Sequence, residues 1–167
     1  MPKVVSSEPT ETEYRKRPAR GASLFVSETS LEHMIDHADR GFGDGVEIMG
    51  LMMGTVYRDD LGYYAMVMDA VTSELDSDEV SVRFGRDSFE ELFKNIDKVG
   101  GKVVGWYHSH PGFGCYLSDT DIRTHKGIFG NDPGFAIVID PSDATIKAFT
   151  VENEEQKDAV MVIMDAV

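Results

Sequence analysis

The chain has 167 residues, with 16 basic and 30 acidic side chains, and its formal net charge is −14. This charge repels nucleic-acid phosphates and anionic lipid headgroups, so we expect neither nucleic acid nor a membrane as a partner. The one cysteine excludes an internal disulfide, and no secretory signal or spanning segment is visible, so we expect a cytoplasmic protein, or a nuclear one in a eukaryote.

The length corresponds to a single domain. Residues 1–22 are polar and of mixed charge, and they contain too few apolar side chains to order themselves alone. We therefore predict a flexible N-terminal tail over residues 1–22 and one folded domain over residues 23–167.

The first half of the domain is predicted to contain three strands and a helix. A strand at 23–26 precedes a helix that Ser27 can cap, and the apolar stripe of this helix consists of Leu31, Met34, Ile35 and Ala38. A glycine-rich linker at 41–45 ends the helix. Two strands rich in Val, Ile, Met and Tyr then form a hairpin around the turn at 59–62, at 46–57 and 63–72.

The second half alternates strands and helices. An acidic segment, 73–79, leads to a short strand at 80–84, and a helix from Asp87 or Ser88 continues to residue 99. The later elements are strands at 102–107, 135–139 and 146–151 and a helix at 121–129, whereas 159–167 fits a strand or a helix. Residues 135–139 are apolar on both faces and should form a central strand. The most economical arrangement is a three-layer α/β domain, a mixed sheet between helices.

Four polar residues after the strand at 102–107 have the spacing of a metal site. His108 and His110 are two apart, so on a strand both rings project to one face. Ser118 and Asp121 follow, and their Ser-x-x-Asp spacing also suits the capping box of the next helix. Two imidazoles and a carboxylate suit Zn²⁺, and three protein ligands leave a fourth position for water. The alternative, a pair of ordinary strand histidines, gives no reason for the downstream Ser-x-x-Asp.

The His-x-His-x7-Ser-x2-Asp pattern, the strand at 103–107 before it and the segment 46–54 closely resemble the JAMM (MPN+) zinc metalloproteases. The match is closest to the proteasome-lid deubiquitinase branch and covers residues 23–151. The resemblance implies an MPN (JAMM) catalytic domain over 23–167, with a mixed β-sheet sandwiched by helices in a cytidine-deaminase-like three-layer architecture.

The resemblance also implies roles for five residues. His108, His110 and Asp121 would hold one Zn²⁺ per chain, Glu47 would act as the general base, and Ser118 would donate a hydrogen bond to the tetrahedral oxyanion. Spacing alone does not separate Glu47 from a solvated strand glutamate. Ser118 also fits a helix cap, and one hydroxyl could serve both purposes.

The implied activity is that of a zinc-dependent isopeptidase that cleaves after the Gly-Gly tail of ubiquitin or a ubiquitin-like modifier. Conjugates of these modifiers are the expected partners, with another MPN domain or the proteasome as further candidates. In relatives, the segment corresponding to 73–86 binds the tail by strand addition. We hypothesise that its acidic side chains attract arginines in the tail, namely Glu74, Asp76, Asp78 and Glu79.

Two other functions stay open from the sequence. One is an MPN scaffold that works by heterodimerisation, although such relatives lack metal ligands that this chain keeps. The other is a compact prokaryotic-type zinc amidohydrolase that acts on a sulfur-carrier-like protein or a small substrate.

The other histidines and the cysteine are expected to have lesser roles. Cys115 could act as the nucleophile of a Cys-His protease, but packing beneath its loop is the preferred interpretation. His33 and His37 are expected to be solvated. His125 either supports the metal site or is an exposed helical residue.

Overall fold

The structure, a computed structural model, describes residues 12–72 and 102–165. Within these ranges, one mixed sheet carries a helix on each face. The elements in chain order are β1 (Leu24–Ser27), α1 (Glu28–Gly43), β2 (Met49–Asp59), β3 (Gly62–Thr72), β4 (Lys102–Ser109), α2 (Asp119–Phe129), β5 (Phe135–Asp140), β6 (Thr145–Glu152), β7 (Glu155–Ala159) and β8 (Met161–Met164). No helix in these two ranges is long and apolar enough to cross a membrane.

The strand order places β4 at the centre of the sheet. Across the described residues the order is β7-β6-β5-β4-β2-β3-β1-β8. β4 pairs in parallel with β5, and β1 pairs in parallel with β3 and β8, whereas the other pairs are antiparallel. Because β4 and β5 are parallel, their carboxyl ends meet at one edge of the sheet, and the prediction of an interior strand at 135–139 is confirmed.

Helix α1 packs on one face of the sheet. Its N-cap is Ser27, whose hydroxyl accepts a hydrogen bond from the Ser30 amide. The predicted stripe is confirmed, since its side chains are buried or half-buried against Ile48, Val104, Tyr107 and other residues of that face. The expectation that His37 is solvated is wrong, although His33 is exposed as expected. His37 is buried and its Nδ1 lies 2.8 Å from the Tyr107 hydroxyl, because Tyr107 projects from the face that α1 covers.

Helix α2 packs on the opposite face. Ile128 and Phe129 of this helix, with Leu117 just before it, share a buried cluster with Met49 and Trp106. The two apolar clusters therefore lie on the two sides of the same central strands. The predicted three-layer α/β architecture is confirmed.

A flexible tail was predicted over residues 1–22, and within its described part, 12–22, the structure shows a packed side chain. Arg17, within this segment, is buried and forms a two-point ion pair with Asp59 at the end of β2, with Nη2–Oδ1 and Nε–Oδ2 distances of 2.7 Å. Composition missed this contact because its partner lies 42 residues away. The domain bounds remain a prediction, but part of the segment before residue 23 packs against the sheet.

Replacing Arg17 with Met is expected to lower the melting temperature at neutral pH. The hydrogen bonds from the Arg17 guanidinium hold the pKa of Asp59 below its usual range, against burial, which raises it. A depressed carboxyl pKa stabilises the fold above the unfolded pKa of about 4, and this contribution disappears as the pH falls through the folded value. The melting-temperature difference between wild type and variant should therefore shrink in acid.

Arg20→Met is the matched control for this prediction. Arg20 pairs with Asp60 at 3.4 Å, but the two side chains are 62% and 56% exposed. Exposed pairs contribute little to stability. Calorimetry that found equal effects for Arg17→Met and Arg20→Met would contradict the importance of the buried pair.

Several predictions lie outside the described residues or depart from the structure near the C-terminus. The acidic segment 73–79, the strand 80–84 and the helix to residue 99 are outside the described ranges. The open assignment of 159–167 is settled over Met161–Met164, which form a strand beside β1. Strand β7 was not predicted, because its sequence, Glu-Gln-Lys-Asp-Ala, is mostly polar and mostly exposed and has no apolar alternation.

Candidate metal centre

Three predicted ligands meet where β4 ends. His108 is the second-to-last residue of β4, His110 follows the end of the strand, and Asp121 lies in the first turn of α2. The Nε2 atoms of the two histidines lie 3.0 Å apart, and each lies 3.0 Å from Asp121 Oδ2. All three residues are buried. Among the described residues, this is the one group of three or more His, Cys, Asp or Glu side chains whose possible ligand atoms lie close enough together to hold one ion.

The spacing and donor set of this cluster fit Zn²⁺. In a tetrahedral site with ligands ~2.0–2.1 Å from the ion, neighbouring ligand atoms are ~3.3 Å apart, close to the observed separation. Two imidazole nitrogens and one carboxylate oxygen are donors that Zn²⁺ accepts. The cluster can therefore hold Zn²⁺ with three protein ligands.

The capping box of α2 orients the Asp121 carboxylate. The Ser118 hydroxyl accepts a hydrogen bond from the Asp121 amide at 3.1 Å, and the Ser118 amide donates to Asp121 Oδ2 at 2.9 Å. Burial raises the pKa of Asp121, but hydrogen bonds from His108, His110 and the Ser118 amide outweigh it and hold the pKa below its usual range. Oδ2 is thus an ionised oxygen fixed in place, and the predicted capping interpretation of Ser118 agrees with the structure.

Trp106 and His125 support His108 from the side of α2. The Trp106 indole stacks on the His108 ring, with centroids 4.6 Å apart and planes 11° from parallel. Its Nε1 donates to His125 Nδ1 at 3.1 Å. Burial lowers the pKa of His125 to about 4, so the imidazole is neutral near pH 7 and can accept this bond. The supporting role proposed for His125 agrees with this contact. Trp106 is two residues before His108, so strand alternation could have predicted that the two side chains share a face.

Asp140, which sequence analysis did not single out, shapes the loop after His110. Its carboxylate accepts hydrogen bonds from the amides of Gly112 and Gly114, both at 2.9 Å, and from Ser142. Burial raises the pKa of Asp140, but these bonds outweigh it and lower the pKa to about 2. Both glycines have φ near +80°, which allows the loop to turn toward Asp140. The Asp-Pro-Ser turn at 140–142 was the available signal.

The loop held by Asp140 carries two exposed aromatic side chains, of which Tyr116 contacts the candidate ligand His110. Phe113 is 68% exposed and Tyr116 is 44% exposed. The Tyr116 ring lies edge-on to His110, with centroids 5.0 Å apart. Cys115, between them, contacts Thr145 through its sulfur at 3.4 Å from the hydroxyl, which agrees with a packing role.

Glu47 lies half-buried just before β2, next to the same end of β4. The antiparallel register sets Met49 opposite His108, and the Ser109 amide continues it by donating to the Ile48 carbonyl at 3.1 Å. Glu47 is two residues before Met49, so the alternation of β2, extended back past Ile48, would place Glu47 on the face that carries His108. The role of Glu47 as a base stays a prediction.

The family model described as JAB1/Mov34/MPN/PAD-1 ubiquitin protease matches residues 20–132. The chain belongs to this family. The predicted JAMM/MPN membership is therefore confirmed, and with it the MPN fold and its cytidine-deaminase-like architecture. The matched segment contains all five residues to which the resemblance assigned roles.

Curated relatives in the family are much longer than this chain. It is 34% identical to COP9 signalosome complex subunit 5 of Kluyveromyces lactis over 138 residues, which are 80% of this chain and 35% of that protein. It is 38% identical to COP9 signalosome complex subunit 5b of Arabidopsis thaliana over 133 residues, 76% of this chain and 35% of that protein. It is 37% identical to ubiquitin carboxyl-terminal hydrolase RPN11 of Saccharomyces cerevisiae over 123 residues, 71% of this chain and 39% of that protein. The JAMM/MPN chain thus spans little more than a third of these relatives.

A solved structure shares the fold. The solution structure of protein DSY2949 from Desulfitobacterium hafniense has a TM-score of 0.61 to this chain and covers 86% of it and 94% of its own length. The two sequences are 22% identical, so the likeness concerns the fold alone.

Proposed function

We propose that this JAMM/MPN chain is a zinc-dependent isopeptidase that hydrolyses the bond after the C-terminal Gly-Gly of ubiquitin or a ubiquitin-like modifier. The observation that carries the proposal is the buried convergence of His108, His110 and Asp121, with 3.0 Å between their ligand atoms. The family description, ubiquitin protease, and the name of the RPN11 relative, ubiquitin carboxyl-terminal hydrolase, support the substrate class.

In this proposal His108, His110 and Asp121 would hold one Zn²⁺, and the ion would supply Lewis acidity for activating water and polarising the scissile carbonyl. Glu47 takes a proton from the attacking water and passes it to the leaving amine. The Ser118 hydroxyl, which caps α2 at rest, donates to the oxyanion that develops on the carbonyl. Trp106 keeps the His108 ring in place through stacking, and Ser118 does the same for the Asp121 carboxylate through its amide.

The exposure of the ligands supports substrate approach from the His110 side. The His110 side chain is 10% exposed, whereas that of His108 is fully buried. The Tyr116 ring lies on this side, edge-on to His110, and is 44% exposed. An extended Gly-Gly segment, which has no side chains, would need little room beside this ring and the ligands.

We also propose that the chain works beside other proteins, in the cytoplasm or nucleus. Relatives carry the names COP9 signalosome complex subunit 5 and 26S proteasome regulatory subunit RPN11, which supports another MPN domain or a proteasome-like assembly as a partner. The single cysteine supports the location, because low cysteine usage is typical of a reducing compartment. The proposed catalytic domain extends over residues 23–167.

Cleavage of fluorogenic ubiquitin, several ubiquitin-like modifiers and a sulfur-carrier protein, with and without a chelator, tests the proposal. We expect release from at least one ubiquitin-type substrate, loss of that activity with the chelator, and its return with added zinc. Activity confined to the sulfur carrier would favour the amidohydrolase alternative. Zinc binding without cleavage of any substrate, even with an MPN partner present, would favour the scaffold and contradict the proposal.

A further inference from the structure

Gln156 on β7 binds the loop that leads into α2. Its Oε1 accepts a hydrogen bond from the Leu117 amide at 2.9 Å, and its Nε2 donates to the Leu117 carbonyl at 3.1 Å. The side-chain amide thus pairs with the backbone of Leu117 as a neighbouring strand would. The two residues are 39 positions apart.

The Leu117 carbonyl belongs to the same peptide unit as the Ser118 amide. That amide donates to Asp121 Oδ2 at 2.9 Å, and Oδ2 is also the oxygen that lies 3.0 Å from both histidine Nε2 atoms. The two ends of one rigid peptide plane are therefore both bonded, the carbonyl to Gln156 and the amide to the ligand oxygen. Hydrogen bonds arranged in such a chain polarise one another and strengthen together.

We propose that Gln156 is a positioning residue of the metal centre, which fixes the orientation of the Leu117–Ser118 peptide and through it the Asp121 carboxylate. The proposal rests on the zinc function proposed above. Gln156 lies after residue 132, where the match to the family model ends. It would add support from the strand next to β6 to a centre whose ligands come from β4 and α2.

The pair of bonds requires the carboxamide group. A glutamate at position 156 would still accept from the Leu117 amide, but its second oxygen would face the Leu117 carbonyl and repel it. A methionine has a similar length and shape and makes neither bond. Both variants release the carbonyl end of the peptide plane and leave every proposed ligand unchanged.

Zinc affinity of the full chain, measured by competition with a chromophoric chelator, tests this role. Loss of an outer partner of a metal ligand commonly weakens metal binding 10- to 100-fold, and we expect about 10-fold for Gln156→Met and for Gln156→Glu because Gln156 acts through one peptide. The absorption bands of the Co²⁺-substituted protein should also shift, since they report ligand geometry. Lys157→Met is the control, because the Lys157 side chain projects from the face of β7 opposite to that of Gln156.

The outcomes separate this proposal from the proposed function. If wild type binds zinc and both Gln156 variants match it in affinity and Co²⁺ spectrum, the positioning role is overturned. A drop in melting temperature with unchanged affinity and spectrum would reduce Gln156 to a structural contact and also overturn it. If wild type itself takes up no zinc, the proposed function fails first, whatever the variants do.

Discussion

Glu47→Gln is expected to lower kcat ~10²- to 10⁴-fold while the protein keeps its zinc, because the amide retains the shape of the side chain but cannot accept a proton. Glu47 is half-buried and lies just before β2, whose Met49 pairs with the candidate ligand His108, and this neighbourhood supports the proposed role as a base. Steady-state cleavage of a fluorogenic modifier, together with metal analysis of the same sample, measures both quantities.

Glu32→Gln on the exposed side of α1 is the control for the Glu47 variant, since it makes the same chemical change far from the ligands. It should leave kcat and zinc content at their wild-type values. A Glu47→Gln protein as active as wild type would remove Glu47 from the mechanism. Loss of zinc together with activity would instead assign Glu47 to metal binding or to structure.

Replacing Ser118 with Ala or Gly is expected to lower kcat/KM ~10²- to 10³-fold in either case, because both variants lack the hydroxyl that we propose as a donor to the oxyanion. Their stabilities should differ. Ser118 is the N-cap of α2, and loss of a cap to Ala costs typically ~1 kcal/mol whereas Gly costs only a few tenths. Kinetics and urea unfolding of the two variants therefore separate the two functions of one side chain.

Comparing the activity losses with the stability losses of the two Ser118 variants distinguishes an oxyanion donor from a helix cap. Equal losses of kcat/KM with unequal losses of stability support an oxyanion donor that is also a cap. If activity instead follows stability, so that the Gly variant is nearly as active as wild type, the hydroxyl acts only as a cap. The backbone amide that orients Asp121 is present in both variants, so zinc binding should be retained.

Much of the fold could be predicted because its elements have strong local patterns. The α1 stripe repeats at helical spacing, and residues 135–139 are apolar on both faces, so a core helix and a central strand followed directly. The proposed metal ligands could be predicted equally well, since His108 and His110 are two apart at the end of one strand and Asp121 lies 13 and 11 residues after them. The capping box of Ser118 and Asp121 also has a fixed local spacing.

The features that were missed are contacts between residues distant in sequence. Arg17 and Asp59 are 42 residues apart, and His37 and Tyr107 are 70 apart, so neither pair has a local signature. His37 was expected in solvent because it lies among charged residues of α1, but the tertiary fold places a tyrosine hydroxyl against it.

The outer parts of the site were the least predictable. Gln156 lies on β7, whose polar sequence gives no sign of a strand, and its bonds to Leu117 depend on the β6–β7 hairpin returning beside α2. The proline after Asp140 indicated a turn, but the sequence did not indicate the hydrogen bonds that Asp140 accepts from Gly112 and Gly114. The residues that support the site are brought to it by the topology of the fold, so they have no local sequence signature. The candidate ligands follow a short motif that can be read from the sequence.

Zinc titration of the metal-free protein, followed by calorimetry and elemental analysis, tests the central claim most directly. The claim is that His108, His110 and Asp121 form one metal site. We predict one zinc per chain for the wild type, with binding abolished or severely weakened in His110→Ala and Asp121→Ala proteins that remain folded. A wild-type protein that takes up no zinc, or variants that bind it with undiminished affinity, would contradict the claim.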